Sequence, residues 1–247
     1  MPRKISICLF FFTINLYTQA INNLTGIVSG TSGFSLCFYG TRISSTEIQD
    51  NITSDIPFLR DASSEMKGGF GYGAEIEYNP SISKLELYFY VSAEYIKIDD
   101  DDFFARLSND SARATVSLFE SFYMIPLEAG IKWKLPVSTE LLTFYIGGGY
   151  GVYFGKRKRN LAYLDSYNIS TKAGYSLNVL TGVDYRLTRN LAVNFELKFR
   201  EGYFESQDTY NTGVINVDGQ EFAIQDPFSS RILISGARLS LGIKYIF

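Results

Sequence analysis

Apolar and polar residues alternate along most of this chain with the period of a β-strand. In the segment 70–79, aromatic and aliphatic side chains fall on one face, while glycine and glutamate fall on the other. Successive side chains of a strand point to opposite faces, so the pattern predicts strands with one apolar and one polar face. It recurs in eight segments: 33–41, 69–79, 84–96, 121–135, 143–155, 173–187, 190–202 and 232–247. The sequence therefore predicts an all-β protein.

The two faces of these segments differ in charge. The apolar face carries one charged residue, Glu201, whereas the opposite face carries fifteen. Most segments are also longer than the strands of soluble domains, which average about 5–6 residues, and reach the about 9–11 residues that cross a bilayer. We therefore expect the apolar face to contact lipid and the charged face to line an interior. The fifteen inward charges are Glu75, Glu77, Lys84, Glu86, Glu94, Glu128, Lys132, Lys134, Asp184, Arg186, Glu196, Lys198, Arg200, Arg238 and Lys244.

The connections between the segments are alternately long and short, with 27, 4, 24, 7, 17, 2 and 29 residues. Outer-membrane barrels have short turns at the periplasmic end and long loops at the external end. Outward aromatic residues also gather near both ends of the segments, as they do at membrane interfaces. These features predict a single antiparallel up-and-down transmembrane β-barrel of eight strands. Ten strands are the alternative, because the first segment is short.

The first twenty residues predict a signal peptide. Arg3 and Lys4 precede an apolar stretch, Ile5–Ile14, and small residues lead up to Ala20. This order of a basic start, a short apolar region and small residues is typical of a secretory signal that is cleaved after its last small residue. We expect cleavage after Ala20, and a barrel domain formed by residues 21–247.

Two segments resemble those of a known family. The last strand, Leu239–Phe247, alternates apolar residues up to a terminal phenylalanine and resembles the closing strand of Gram-negative outer-membrane β-barrels. The segment Ile125–Trp133 resembles a strand of small outer-membrane barrel proteins. The layout resembles the eight-stranded barrels of the outer-membrane protein X/W and attachment-invasion groups. The resemblance implies a monomer in the lipid of the cell outer membrane, whose Tyr245 and Phe247 signal to the barrel-assembly machinery.

The chain offers little material for catalysis. It contains no histidine, and the resemblance implies that barrel enzymes depend on one, so we expect neither an enzyme nor a cofactor. Glu75 and Glu77 share one strand face, where interior ion pairing explains them better than acid–base chemistry. The acidic run Asp99–Asp102 lacks the alternating ligand spacing of a calcium loop, which favours a solvated acidic tip over a metal site. A net charge of −3 gives no basic excess for nucleic acid.

One basic run stands out among the long connections. Lys156, Arg157, Lys158 and Arg159 begin the third of them, which sums to +4, while the other three sum to −2, −3 and −4. Such a patch could bind the phosphates of lipopolysaccharide or a polyanionic host surface ligand. The alternative is that these residues only pair with the acidic connections.

The sequence favours a non-enzymatic barrel with a structural or adhesion-like role, carried by four long external loops. A narrow ion or small-solute pore and a soluble barrel with a ligand in its mouth are the alternatives. The predicted interior carries seven acids, eight bases and several large tyrosines. Buried charges of opposite sign are expected to pair, which predicts a packed interior without a continuous water path. The inward tyrosines are Tyr39, Tyr88, Tyr90, Tyr145 and Tyr153.

Overall fold

The computed structural model describes residues 33–80 and 86–247. The predicted signal peptide, its cleavage after Ala20 and the inward position of Lys84 lie outside the described residues. In chain order the elements are β1 (Gly33–Ile43), β2 (Ser45–Asp50), α1 (Pro57–Arg60), β3 (Ser63–Lys67), β4 (Phe70–Asn79), β5 (Leu87–Ser108), β6 (Arg113–Lys134), β7 (Leu142–Leu161), β8 (Leu164–Asp165), β9 (Tyr167–Lys172), β10 (Gly174–Arg186), β11 (Leu191–Thr209), β12 (Val214–Val217), β13 (Gln220–Ala223) and β14 (Phe228–Ile246).

Eight of these strands form a closed antiparallel barrel. The hydrogen-bonded order is β1-β4-β5-β6-β7-β10-β11-β14, and β14 also pairs with β1, which completes the ring. Each ring strand overlaps one of the eight predicted segments, so the eight-stranded barrel is confirmed and the ten-stranded alternative is wrong. The helix α1 has four residues. Within the described residues, no helix has the length and apolar character needed to cross a membrane.

The long connections differ from the prediction because much of their length is strand. The predicted loop 97–120 instead continues β5 and β6, which leaves only the turn 109–112 between them. Similarly, β7, β11 and β14 extend well beyond their predicted ends. The inward side of β5 becomes apolar at Ile96 and Ile98, while its outward side becomes charged. This long-loop end is therefore a β-structured extension of the barrel, lengthened further by β2, β3 and β9.

The outer surface of the barrel is an apolar belt. Along β7, the outward positions from Phe144 to Phe154 are apolar residues or glycine. This run covers about 33 Å along the strand. A strand tilt of about 40° reduces it to about 25 Å, which is the height of the apolar band on outer-membrane barrels. Outward aromatic side chains lie at both edges of the belt and include Trp133, Tyr185 and Tyr245 near the short turns.

Candidate functional site: the barrel interior and its long-loop end

The centre of the barrel holds a network of ion pairs. Lys132 lies at its middle and contacts the carboxylates of Glu75, Glu77 and Glu196. Its ammonium nitrogen is 3.0 Å from Glu77 Oε1 and 2.9 Å from Glu196 Oε2. Because a buried charge without a partner is costly, the close pairing explains how these charges can lie inside a barrel. Ion pairing by Glu75 and Glu77 is thus confirmed.

The other members of this interior network also pair across strands. Eleven of the fifteen predicted inward charges belong to it, while three others lie near the short turns. The pairs join Lys244 to Glu77 (2.9 Å) and Asp184 (2.6 Å), Lys198 to Glu128 (2.7 Å), Arg238 to Glu196 (2.9 Å) and Glu94 (3.2 Å), and Arg200 to Glu94 (3.2 Å).

Inward tyrosines fill the space beside the interior network, and inward glycines make room for them. A Cβ atom at Gly149 would lie 2.6 Å from the hydroxyl oxygen of Tyr90, and one at Gly182 would lie 2.3 Å from that of Tyr145. The ammonium of Lys132 also lies over the Tyr145 ring, 4.8 Å from its centroid. The glycine-rich segment of β7 therefore makes room for inward tyrosines.

An apolar layer covers the interior network on the side of the long-loop end. The order is visible along β6, where the inward residues Lys132 and Glu128 are followed by Met124 and Phe122 and then by Glu120. The layer consists of fully buried side chains from six ring strands and the extension: Ile43, Ile48, Met66, Ile96, Ile98, Phe122, Met124, Tyr153, Phe204, Ile232 and Ile234. It separates the interior network from a second group of charges.

This second group contains half of the predicted basic patch. Arg157 donates hydrogen bonds to Glu120 Oε1 (2.7 Å) and to Asp50 Oδ1 (2.8 Å), and Arg159 Nη2 lies 2.7 Å from Asp50 Oδ2. Burial by itself would raise the pKa of Asp50, but the two guanidinium groups outweigh it and lower that pKa below its usual range. Two carboxylates and two guanidinium groups thus form a second set of ion pairs across the barrel, beyond the apolar layer.

The predicted basic patch is consequently divided between two faces. Lys156 and Lys158 point outward and are exposed, whereas Arg157 is buried inside the barrel. The reason is that these residues lie on β7 rather than in a loop, so consecutive side chains alternate between the faces. Anion binding by all four residues together does not match this arrangement, and for the two lysines it stays a prediction.

A hairpin covers the long-loop end. Strands β12 and β13 place Ile215 and Phe222 in an apolar cluster with Tyr210 and with side chains of β5, β6, β7 and β14. The backbone N–H of Asn216 donates to the hydroxyl of Tyr163 (3.0 Å), and the side-chain amide of Asn109 donates to the carbonyl of Glu221 (2.8 Å). The hairpin is thus fixed to its neighbours by both apolar packing and hydrogen bonds.

Cavities lie at the two ends of the barrel. One of about 380 Å³ opens at the short turns, is lined by Glu86, Lys134 and Arg186, and ends at Lys132. Another, of about 230 Å³, lies below the hairpin and is lined by Asp50, Arg159 and a majority of apolar residues. No described residue lines both, because the interior network and the apolar layer lie between them.

The predicted acidic tip lies on a strand. The register of β5 against β6 shifts between Asp100 and Phe103, which makes the acidic run a β-bulge. Asp100, Asp101 and Asp102 come within 4.8 Å of one another, and the ammonium of Lys67 contacts all three carboxylates. The lysine supplies the positive charge that a cation would otherwise provide.

The predicted assembly signal lies at the short-turn end. The backbone N–H of Phe247 donates to the carbonyl of Phe34 (3.0 Å), and the Tyr245 and Phe247 rings meet edge to face at 4.9 Å. Both side chains face outward. Recognition of these two residues during assembly stays a prediction.

Comparison with known proteins supports the fold. No family model and no curated protein matches the chain. Among solved structures, it is similar to the outer membrane protein OprG from Pseudomonas aeruginosa, with 11% identity, a TM-score of 0.56, and coverage of 88% of this chain and 96% of that one. The chain therefore has the fold of a small outer-membrane β-barrel, as the sequence predicted.

Two further solved structures have lower TM-scores. The attachment invasion locus protein of Yersinia pestis, in complex with the heparin analogue sucrose octasulfate, has 12% identity, a TM-score of 0.43, and coverage of 87% of this chain and 99% of that one. The outer membrane protease OmpT from Escherichia coli has 9% identity, a TM-score of 0.42, and coverage of 90% and 100%.

Proposed function

We propose that this protein is a closed, non-enzymatic barrel of the outer membrane, which anchors a β-structured extension at the cell surface. The observation that carries the proposal is the succession of layers inside the barrel. The interior network, the apolar layer, the pairing of Asp50 and Glu120 with two arginines, and the hairpin follow one another along the axis. An ion would have to displace each of them in turn to cross, so the arrangement supports a plug over a pore.

The absence of enzymatic activity is part of this proposal. The sequence has no histidine to act as base or metal ligand. Carboxylates could replace it only if they were free to exchange protons with a substrate. In the described interior, Glu75, Glu77, Glu128 and Glu196 are each engaged by lysine or arginine and shielded from solvent. This supports a structural use of the charges.

The partners follow from the two surfaces of the protein. Outer-membrane lipid surrounds the apolar belt, which also argues against a water-soluble barrel. The barrel-assembly machinery would act on the closing strand that ends at Phe247, and the finished protein would be a monomer.

The extension exposes aromatic side chains such as Phe104, Tyr163 and Tyr167 outside the belt. Exposed aromatic residues are typical contacts of protein and ligand surfaces, which supports an adhesion-like role.

Planar-bilayer recording tests the plug. The refolded protein is compared with a variant that lacks residues 213–224, whose ends are already joined by a hydrogen bond from Ile224 N–H to the Gly213 carbonyl (2.9 Å). We expect no steady conductance from either protein, because the inner layers remain in the shortened variant. Open-channel steps from the full-length protein would show a pore. Steps from the shortened variant alone would show that the hairpin is the seal, and would refute closure by layers.

A further inference from the structure

An outward row of side chains crosses five neighbouring strands at the edge of the belt that is nearest the long-loop end. The strand registers place Arg42 of β1 opposite Phe70 of β4, Phe70 opposite Lys97 of β5, Lys97 opposite Tyr123 of β6, and Tyr123 opposite Lys156 of β7. All five side chains are exposed on the outer face. Cations and aromatic rings therefore alternate along the row, which we call the cation–aromatic row.

The cations of this row lie at the level of lipid headgroups. On β5, Lys97 is the outward residue next after Tyr95, and on β7, Lys156 is the outward residue next after Phe154. On each strand the apolar run thus ends and a positive charge follows at once. Aromatic side chains mark the interface of outer-membrane barrels, so the next outward position meets the polar headgroups.

The row is also the cationic side of the barrel at this level. Within the described residues, Arg42 and Lys156 form no ion pair, although the Arg42 guanidinium lies over the Phe70 ring at 5.4 Å. Lys97 is held by Asp99 at 2.6 Å. On the other side of the barrel, the apolar run of β11 ends at an acid, Glu201.

Across the barrel, the cations are already paired. Glu205 of β11 binds Arg231 at 2.7 Å and Lys172 at 3.5 Å. An anion at the membrane surface therefore meets the unpaired charges of Arg42 and Lys156 on the side of β1 and β7, and meets carboxylates on the side of β11. This difference between the two sides supplies a control, because Lys172 is as exposed as the row lysines but lies on the acidic side of the barrel, next to Glu205.

We infer that the cation–aromatic row binds the phosphorylated sugar headgroup of an outer-leaflet glycolipid. The cations would bind its phosphates, since lysine and arginine near a membrane surface each attract anionic lipid. The exposed rings of Phe70 and Tyr123 lie between them, where flat aromatic faces can pack on the apolar face of a sugar ring. Neighbouring strands are about 4.8 Å apart, so Lys97 and Lys156 are about 10 Å apart across Tyr123, a spacing that leaves room for a sugar. The inference rests on insertion of the barrel in the membrane.

Native mass spectrometry of the detergent-solubilised full chain tests this inference. Bisphosphorylated lipid A is the probe, with dephosphorylated lipid A and phosphatidylglycerol as comparison lipids. We expect retention of bisphosphorylated lipid A over both, and a loss on the order of 10- to 100-fold in the triple variant Arg42→Ala, Lys97→Ala, Lys156→Ala. The control Lys172→Ala should retain the lipid, and Lys156→Arg should retain it as well.

Three results would overturn the assignment. They are equal retention by the triple variant, equal loss in the Lys172 control, and equal binding of phosphatidylglycerol by the wild-type chain, which would indicate a general anionic surface. Heat-modifiable migration confirms that each variant has folded. Channel conductance by a protein that still retains lipid A would refute the closed barrel and leave the row intact, so the two proposals fail separately.

Discussion

Replacing Lys132 by methionine tests whether the interior network stabilises the barrel. Lys132 contacts three carboxylates, but these do not depend on it equally. Glu77 keeps Lys244, and Glu196 keeps Arg238. Within the described residues, Glu75 pairs with Lys132 alone. The substitution therefore leaves one buried carboxylate without a cation rather than three, and the expected loss of unfolding free energy is about 3–5 kcal/mol.

Urea unfolding in lipid vesicles measures this loss. The chain has a single tryptophan, Trp133, whose outward side chain at the edge of the belt reports transfer from lipid to water. Adding Glu75→Gln to Lys132→Met removes the unpaired charge, so the double variant should recover about 2 kcal/mol or more relative to the single one. The matched control is Lys134→Met, because Lys134 pairs with the exposed Glu86 and should cost only about 0–1 kcal/mol.

Two outcomes would refute this reasoning. A loss below about 1 kcal/mol for Lys132→Met would mean that water reaches Glu75 and that the interior is not sealed. Simple additivity of the Lys132 and Glu75 substitutions would mean that the two side chains do not interact in the folded barrel.

Three further predictions concern packing, assembly and pH. Gly149→Ala should destabilise the barrel by about 1–3 kcal/mol because its new methyl meets the carbonyl oxygen of Ala129 and the hydroxyl of Tyr90, whereas Gly40→Ala, with open space around it, should be nearly neutral in the same unfolding assay. Deletion of Phe247 should lower the amount of protein in outer-membrane fractions and leave precursor in the periplasm; unchanged levels would count against the assembly signal. Asp50 has a lowered pKa, so the destabilisation caused by Asp50→Asn should be constant above about pH 5 and shrink only below about pH 4, and a loss that sets in near neutral pH would contradict this.

The barrel was predictable from the sequence because lipid and interior impose opposite demands on alternate residues. The positions at which strands stop near the long loops could not be predicted. Beyond the lipid the outward residues become polar, so an apolar outward face no longer marks a strand. The inward positions Ile96, Ile98 and Asp100 keep the period-two alternation of a strand, and they indicate that β5 continues. If β7 is extended past residue 155 by the same reasoning, Lys156 and Arg157 fall on opposite faces of the strand.

The partners of the buried charges could not be predicted. Arg157 meets Asp50, which is 107 positions away in the chain, because β2 folds back beside β14 and brings its end over the barrel. Nothing local to either residue indicates this pairing. Pro126 lies inside β6, where a proline suggests a bulge or a bend. Yet Ala93↔Leu127 and Ile96↔Met124 keep one register across it, and the bulge lies at the acidic run instead.

The sequence pattern and the closed ring of strands both require a barrel that is folded within the outer membrane. Gel migration of the protein extracted from an outer-membrane fraction tests it most directly, with boiled and unboiled samples compared side by side. We expect a faster-migrating folded band in the unboiled sample, which shifts on boiling to the position of the unfolded chain. A protein found in the soluble fraction, or a band that does not change on boiling, would show that the chain is not a membrane barrel.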